Sequence, residues 1–325
     1  MAVLVPVLGR LAKALLTLLA IAVLNFFLIH AAPGDPAVVL AGEAGAADEQ
    51  MIAQLRERFG LDQPFHVQLG SYVWNIVQLD FGYSFRQGAP VLDLILDRLP
   101  ATLILTLTAF VISLTLGIIL GVAASARVGK ASDSLLTTLA LLFYATPLYW
   151  AALMAVLVFS VELGWLPGFG YETVGANYTG LARVWDVIKH LILPASTLGL
   201  FFMAVYMRMT RASMLEVSQM DFVKTARAKG LSGPVIRRRH ILRNAILPVV
   251  TLAGLQAGQL VGGAVLTETV FAWPGIGRLM FESLAARDYN TILGVFLVSA
   301  AMVIVFNILT DLVYRLVDPR IGARA

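Results

Sequence analysis

An all-α protein embedded in a lipid bilayer is the fold class that this sequence predicts, and three observations predict it. The composition is 59% hydrophobic and 14% charged, against about 45–50% apolar and about 25% charged in a soluble domain. Six long apolar stretches contain no Asp, Glu, Lys or Arg. The basic residues between them alternate in density from one loop to the next, as they do when successive loops lie on opposite sides of a membrane.

The stretches are residues 14–31, 101–126, 134–160, 191–207, 245–267 and 291–310. Each approaches or exceeds the roughly 20 residues that carry a helix across about 30 Å of hydrocarbon. Helices are required because lipid cannot satisfy an open strand edge. Pro147 and Pro194 fall inside the third and fourth stretches, where neighbouring helices or water are expected to serve the freed carbonyls. The first stretch, with Arg10 and Lys13 before it and Ala31 and Ala32 after it, also has the parts of a secretory signal. Its length and the five spans that follow speak for a membrane helix. With the N-terminus inside, the cytoplasmic segments hold 16 of the 24 Lys and Arg but only 5 of the 20 Asp and Glu. Both termini are therefore expected in the cytoplasm. The net charge of +4 reads as this topology signal and not as nucleic-acid binding, and the absence of cysteine excludes disulfides and thiolate metal sites.

The chain divides into residues 1–100, a first transmembrane helix with a long external loop, and residues 101–325, a five-helix core. In the first external loop Asp48 can cap a short amphipathic helix, with Met51, Ile52, Leu55 and Phe59 on one face and Gly60 as its stop. That helix either rests on the bundle or meets an external partner. The second external loop, roughly 161–190, is rich in Gly, Trp and Tyr, and the third carries Trp273-Pro274-Gly275-Ile276-Gly277 before an amphipathic segment, 278–289, with Leu279, Met280 and Leu284 on its apolar face.

The cytoplasmic loop 208–244 is the most informative stretch. Ser218-Gln219-Met220-Asp221 fits a capping box. A helix from Gln219 to Lys229 would stop at Gly230, the favoured residue just past a helix end, and its basic residues gather toward its C-terminus, where the dipole favours them. It is too polar to span. Arg237, Arg238 and Arg239 beyond it suit anionic headgroups.

Nothing in the sequence supplies power. Ion-coupled carriers commonly place ionisable groups in the bilayer. The six spans hold none, only Asn25, His30, Gln256, Gln259 and Asn307 as prominent polar groups. The Gly129-Lys130 pair lacks the rest of a phosphate loop. A self-powered channel or carrier is the competing reading. Glycines recur every fourth position at Gly254, Gly258 and Gly262, and again at Gly117 and Gly121. Such spacing allows close helix packing in lipid, either within the chain or, for the fifth span with Gln256 and Gln259, along a pathway shared with a second subunit.

Two segments then carry a resemblance: Asp221-Phe222-Val223-Lys224-Thr225-Ala226-Arg227-Ala228-Lys229-Gly230, and Arg239 through Pro248. Together they resemble the EAA loop of bacterial importer permeases, most closely the dipeptide/oligopeptide/nickel group. Ala32-Pro33-Gly34-Asp35-Pro36, Thr267 through Gly277 and Asp318-Pro319-Arg320 resemble other segments of the first, B-type permease of that group. The general pattern begins Glu-Ala-Ala where this chain has Lys224, Thr225 and Ala226, a divergence that peptide-type permeases share.

The resemblance implies a permease of the type I ABC importer fold with no catalytic residue, no metal and no cofactor of its own. ATP and Mg would be bound by two cytoplasmic ATPase subunits, with a second permease and an external substrate-binding protein as the other partners. The cargo implied is di- or oligopeptides, with nickel, glutathione, opines or oligosaccharides as alternatives; His30, His66 and His190 are too scattered to suggest a nickel site. The resemblance also implies site residues. Asp221, Phe222, Thr225, Ala226, Arg227, Ala228 and Gly230 would couple to the ATPase, with Ala226 and Ala228 allowing close approach. Gly254, Gln256, Gly258, Gln259 and Gly262 would line the pathway. Glu268, Trp273, Pro274 and Gly275 would stand at the external gate.

The topology is testable in a chain without cysteine. A cysteine introduced at Glu57 should react with a membrane-impermeant thiol reagent in cells whose outer membrane is opened, and one at Arg237 should not. The reverse pattern contradicts the assignment.

Overall fold

The computed structural model describes residues 4–31 and 62–317, with positions 38, 49, 52–53 and 56 between them. The amphipathic helix expected from Asp48 falls almost wholly outside the described residues, as do Ala32–Pro36 and Asp318–Arg320. The elements run in order: α1 (Leu4–Ala31), α2 (Phe65–Val77), a two-residue hairpin of β1 (Tyr83–Ser84) and β2 (Ala89–Pro90), α3 (Val91–Ser125), α4 (Ala131–Ala145), α5 (Leu148–Ala155), α6 (Gly180–Ser218), α7 (Asp221–Ala228), α8 (Leu242–Val270), α9 (Ile276–Ala286) and α10 (Tyr289–Val317). A π-helical segment, Val156–Glu162, continues α5, and another, Ile236–Ile241, leads into α8.

Helices occupy all six apolar stretches. Among the described residues α3, α6 and Tyr289–Thr310 of α10 are each long and apolar enough to cross a membrane, the α4–α5 pair makes a fourth if it counts as one bent span, and Ala12–Leu28 is a shorter apolar helix. Two helices outrun their apolar stretches: α3 has 35 residues and α6 has 39. At 1.5 Å per residue α6 is about 58 Å long, nearly twice the roughly 30 Å of a bilayer's hydrocarbon.

The third stretch differs from its expectation. Pro100, Pro194 and Pro248 sit inside helices, but Pro147 ends one: α4 and α5 meet at 102°. Thr146, the residue before the proline, is extended at φ −76° and ψ 129°, the conformation that the proline ring imposes on its predecessor.

The described chain forms two compact units, Met1–Pro100 with Gly275–Ile304, and Ala101–Pro274 with Val305–Ala325. In the first, Asn25 donates to the Leu293 carbonyl (3.3 Å), and Phe26 and His30 pack on Phe65 at 5.0 and 5.3 Å between centroids. His30 also bonds Gln68 (3.1 Å). The polar groups of the first span thus serve helix packing. Asp288 caps α10, accepting from the Thr291 backbone N–H and hydroxyl and from Ser84. Along α9, Leu279 is fully buried while Leu284 is exposed.

The second unit is built on a seam between α3 and α6 in which backbones touch. A Cβ on Gly117 would lie 2.5 Å from Tyr206 Cβ and 3.1 Å from the Met203 carbonyl; one on Gly121 would lie 2.6 Å from Thr210 Cβ and 2.7 Å from the Met207 carbonyl. Gly199 answers from the other side, where a Cβ would meet Ile112 Cβ at 3.0 Å and the Ala109 carbonyl at 3.1 Å. Helix α6 also sets Phe202 and Tyr206 in one buried cluster with Val249 and Ala253 of α8. Outside the core, Val111, Leu142 and Leu255 are more than half exposed, as suits an apolar solvent.

Valine at Gly121 should lower the thermal midpoint in detergent by the equivalent of about 1–3 kcal/mol, the usual cost of overpacking. Gly70→Ala, where a Cβ meets nothing within 4 Å, should leave it unchanged or raise it. Equal midpoints for the two variants would contradict the seam.

Candidate coupling site

Helix α7 is a short surface helix seated on its own chain. Two of its apolar side chains, Val223 and Ala226, are buried with Met214, Val217, Ile236, Ile241 and Ala245. Burying one valine is worth about 1.5–3 kcal/mol, enough to hold an eight-residue helix that would not form alone. Asp221, Phe222, Lys224, Thr225, Arg227 and Ala228 face outward. The exposed Lys224–Asp221 ion pair at 2.8 Å adds little.

The ends correct the expectation in part. The helix begins at Asp221 and not Gln219, because α6 runs through to Ser218. The Ser218 hydroxyl bonds back to the Leu215 carbonyl (2.7 Å), so no capping box forms; Asp221 in the first turn still suits the helix dipole. The far end forms as expected. Gly230 has φ +75°, its N–H donates to the Arg227 carbonyl (2.9 Å), and the Leu231 N–H donates to the Ala226 carbonyl (3.3 Å). These two bonds make a Schellman stop, which needs a left-handed residue and so favours glycine. Ala226 stands apart from the other coupling candidates: it is 5% exposed and seats the helix instead of facing outward.

Helix α6 carries this platform, and a fork of hydrogen bonds braces it one helix away. Arg211 Nε and Nη2 donate to the two carboxylate oxygens of Asp133 in α4, both at 2.8 Å, and the Gly129 N–H adds a third bond to Asp133 (3.1 Å). Sequence reasoning missed this pair. A signal existed: Asp133 is the only acidic residue between Asp97 and Glu162, and a lone acid at the edge of an apolar run needs a partner.

The remaining candidates separate by environment. Gly254 is a packing residue, since a Cβ there would collide with Thr310 Cγ2 of α10. Gly262 faces open space. Gln256 Oε1 is buried with no hydrogen-bond partner among the described residues. Gly258 is half-buried, and the side chain of Gln259 lies outside the description.

Glu268 and Trp273 are fully buried and do not present a surface to an external partner. Glu268 accepts from the Thr102 hydroxyl (2.6 Å), and Trp273 Nε1 donates to the Ala101 carbonyl (2.9 Å). Trp273 packs on Tyr171 at 4.8 Å, and its N–H returns to the Glu268 carbonyl. Together they lock the end of α8 to the start of the apolar part of α3. Pro274 is half-buried and Gly275 buried, leading into α9. Among the described residues no three His, Asp or Glu gather as a metal site. His190 bonds the Asp186 carbonyl (2.9 Å).

Comparison with known proteins agrees with the motifs. Residues 113–323 match the family described as binding-protein-dependent transport system inner membrane component, and residues 3–106 match the N-terminal part of such membrane components. The dipeptide transport system permease protein DppB of Alkalihalophilus pseudofirmus is 41% identical over 318 residues, covering 94% of this chain and 95% of its own. DppB of Escherichia coli is 40% identical, covering 97% and 98%. Among solved structures, an inward-facing form of the MetNI methionine ABC transporter superposes with a TM-score of 0.56 at 17% identity, covering 69% of this chain and 96% of that one; that likeness is one of fold.

The Schellman stop generates a direct test. Gly230→Val forces a β-branched residue into the left-handed region, at a local cost of about 1–3 kcal/mol, and should loosen α7 so that trypsin cuts faster after Arg227 and Lys229. Gly230→Asn, which tolerates that region, should cut at nearly the parent rate. Equal rates for all three chains would contradict the stop.

Proposed function

The chain belongs to the inner-membrane components of binding-protein-dependent transport systems, and from that premise we propose that it is one permease half of an ATP-driven importer of peptides in the bacterial inner membrane. Six spans put both termini, the α3–α4 turn and α7 in the cytoplasm. A second, related permease completes the pathway. Two ATPase subunits bind ATP and Mg, and an external binding protein delivers di- or oligopeptides. The chain itself performs no chemistry.

The observation that carries this proposal is α7: a helix with Val223 and Ala226 turned into the chain, an outward face of Asp221, Phe222, Thr225, Arg227 and Ala228, and a glycine stop. A surface helix that is rigidly seated yet spends its Phe on solvent suits insertion into a cleft of a partner. Phe222 fills a pocket there and Arg227 meets carboxylates, while Val223 and Ala226 transmit the push into the hydrophobic cluster beneath. ATP-driven closure of the ATPase pair then swings α6 and α8, and the pathway alternates between its two sides.

Along that pathway Gln256 brings an unpartnered carbonyl able to accept a peptide N–H. Gly258, Gln259 and Gly262 continue the same helix, and the open face at Gly262 suits approach of the second permease. Gly254 holds α10 in place. Glu268, Trp273, Pro274 and Gly275 brace the external end from within. Cargo preference follows from the similarity to dipeptide permeases at about two-fifths identity over nearly the whole chain.

The test is reconstitution. Vesicles holding this chain with its second permease, ATPases and binding protein should take up a radiolabelled dipeptide only with ATP, and the purified chain alone should not hydrolyse ATP. Uptake by the chain alone without ATP would favour a self-powered carrier instead, and turnover of ATP by the isolated chain would overturn the division of labour.

A further inference from the structure

We infer that Asp133 and Arg211 are positioning residues for coupling: their fork locks α4 to the cytoplasmic arm of α6, so that movement of α7 is delivered to the bent α4–α5 pair as well as to α6. This rests on the importer reading above.

The geometry argues it in three steps. First, α4 lies antiparallel along α6. Tyr144 stacks on Phe201 at 5.6 Å near one end of the contact, and Asp133 meets Arg211 at the other. Between them the contact is apolar, with Leu136 and Ala140 against Leu200, Met203 and Met207. Apolar contact is non-directional and lets one helix slide on another. A bidentate guanidinium–carboxylate pair is directional and fixes register.

Second, the fork stands at the base of the arm. Ten residues separate Arg211 from Asp221, about 15 Å of helical rise, and α6 runs unbroken through most of that distance to Ser218. A sideways push on α7 therefore acts on a lever whose first polar anchorage to another helix is Asp133. Arg208, one turn earlier, adds its guanidinium over the Tyr144 ring at 4.9 Å, so two cations of α6 hold α4.

Third, the fork also ties down the turn before α4. The Gly129 N–H bonds the same carboxylate, and Gly129 is left-handed at φ +74°. Asp133 thus joins three elements: the α3–α4 turn, α4 and α6. Beyond α4 the chain bends by 102° at Pro147, so a shift of α4 along its axis changes the direction in which α5 moves.

The experiment uses the full transporter in vesicles and reads peptide taken up per ATP hydrolysed. Asp133→Asn breaks the fork, and Asp133→Asn with Arg211→Gln removes both charges, so that a half-buried unpaired guanidinium is not the cause of any loss. In both, ATPase subunits should co-purify and basal hydrolysis should persist, while uptake per ATP falls about tenfold, a typical coupling energy. Asp133→Glu, which keeps a carboxylate, should recover a large part of it. The inference is overturned if the double variant keeps the parent ratio, if assembly and hydrolysis fall in parallel with uptake, as a purely structural pair would cause, or if Asp133→Glu recovers nothing. A parent complex that shows no ATP-dependent uptake would instead sink the importer reading.

Discussion

The close approach of α3 to α6 is the constraint on which the rest of the molecule depends. Lipid offers no hydrophobic drive between helices, so packing contact must hold them together. Here that contact reaches backbone distance at Gly117, Gly121 and Gly199. With α3 pressed against it, α6 becomes a fixed beam of 39 residues. It also packs with α8 at Val249 and Ala253, and α4 lies along it as well. Its C-terminal end leads into α7. The glycine seam holds α6 by direct packing contact and needs no ionisable group to do so.

Several polar groups near the ends of the apolar stretches have a defined partner. Glu268 with Thr102, and Trp273 with the Ala101 carbonyl, close the C-terminal end of α8 on α3. Asp288 caps α10. Asp133 and Arg211 close the N-terminal end of α4 on α6. Burying an unpaired carboxylate is costly, so such pairs are specific in a way that leucine contacts are not. These pairs fix which helix ends meet, as the apolar contacts between them do not.

Much of this was legible in the sequence, for reasons that can be named. Spans are legible because twenty apolar residues without charge have few other uses. The stop at Gly230 is legible because a left-handed position has a strong residue preference. The seam was legible only as a pattern: Gly117 and Gly121 promised a close neighbour but could not say that it was Tyr206 and Thr210. The bend at Pro147 was not legible, because Pro194 and Pro248 look alike in sequence yet stay helical; what surrounds each freed carbonyl decides, and that is tertiary. The capping box at Ser218 failed because a strong helix upstream claimed the serine first. Ala226 was read as an outward alanine because propensity does not tell which face of a short helix is underneath. For Glu268 and Trp273 the motif marked a position in the chain but not that both side chains are fully buried.

The account turns on α7 offering one face to an ATPase and the other to its own chain. Site-directed cross-linking in the assembled transporter addresses this most directly, since the chain has no cysteine of its own. Single cysteines at Phe222, Thr225 and Val223 would each be paired with cysteines placed around the ATPase cleft. Cross-links to the ATPase from 222 and 225, with none from 223, are the result that this account predicts. Cross-links from 223 and none from 222 or 225, or no cross-link from any of them in an active transporter, would contradict it.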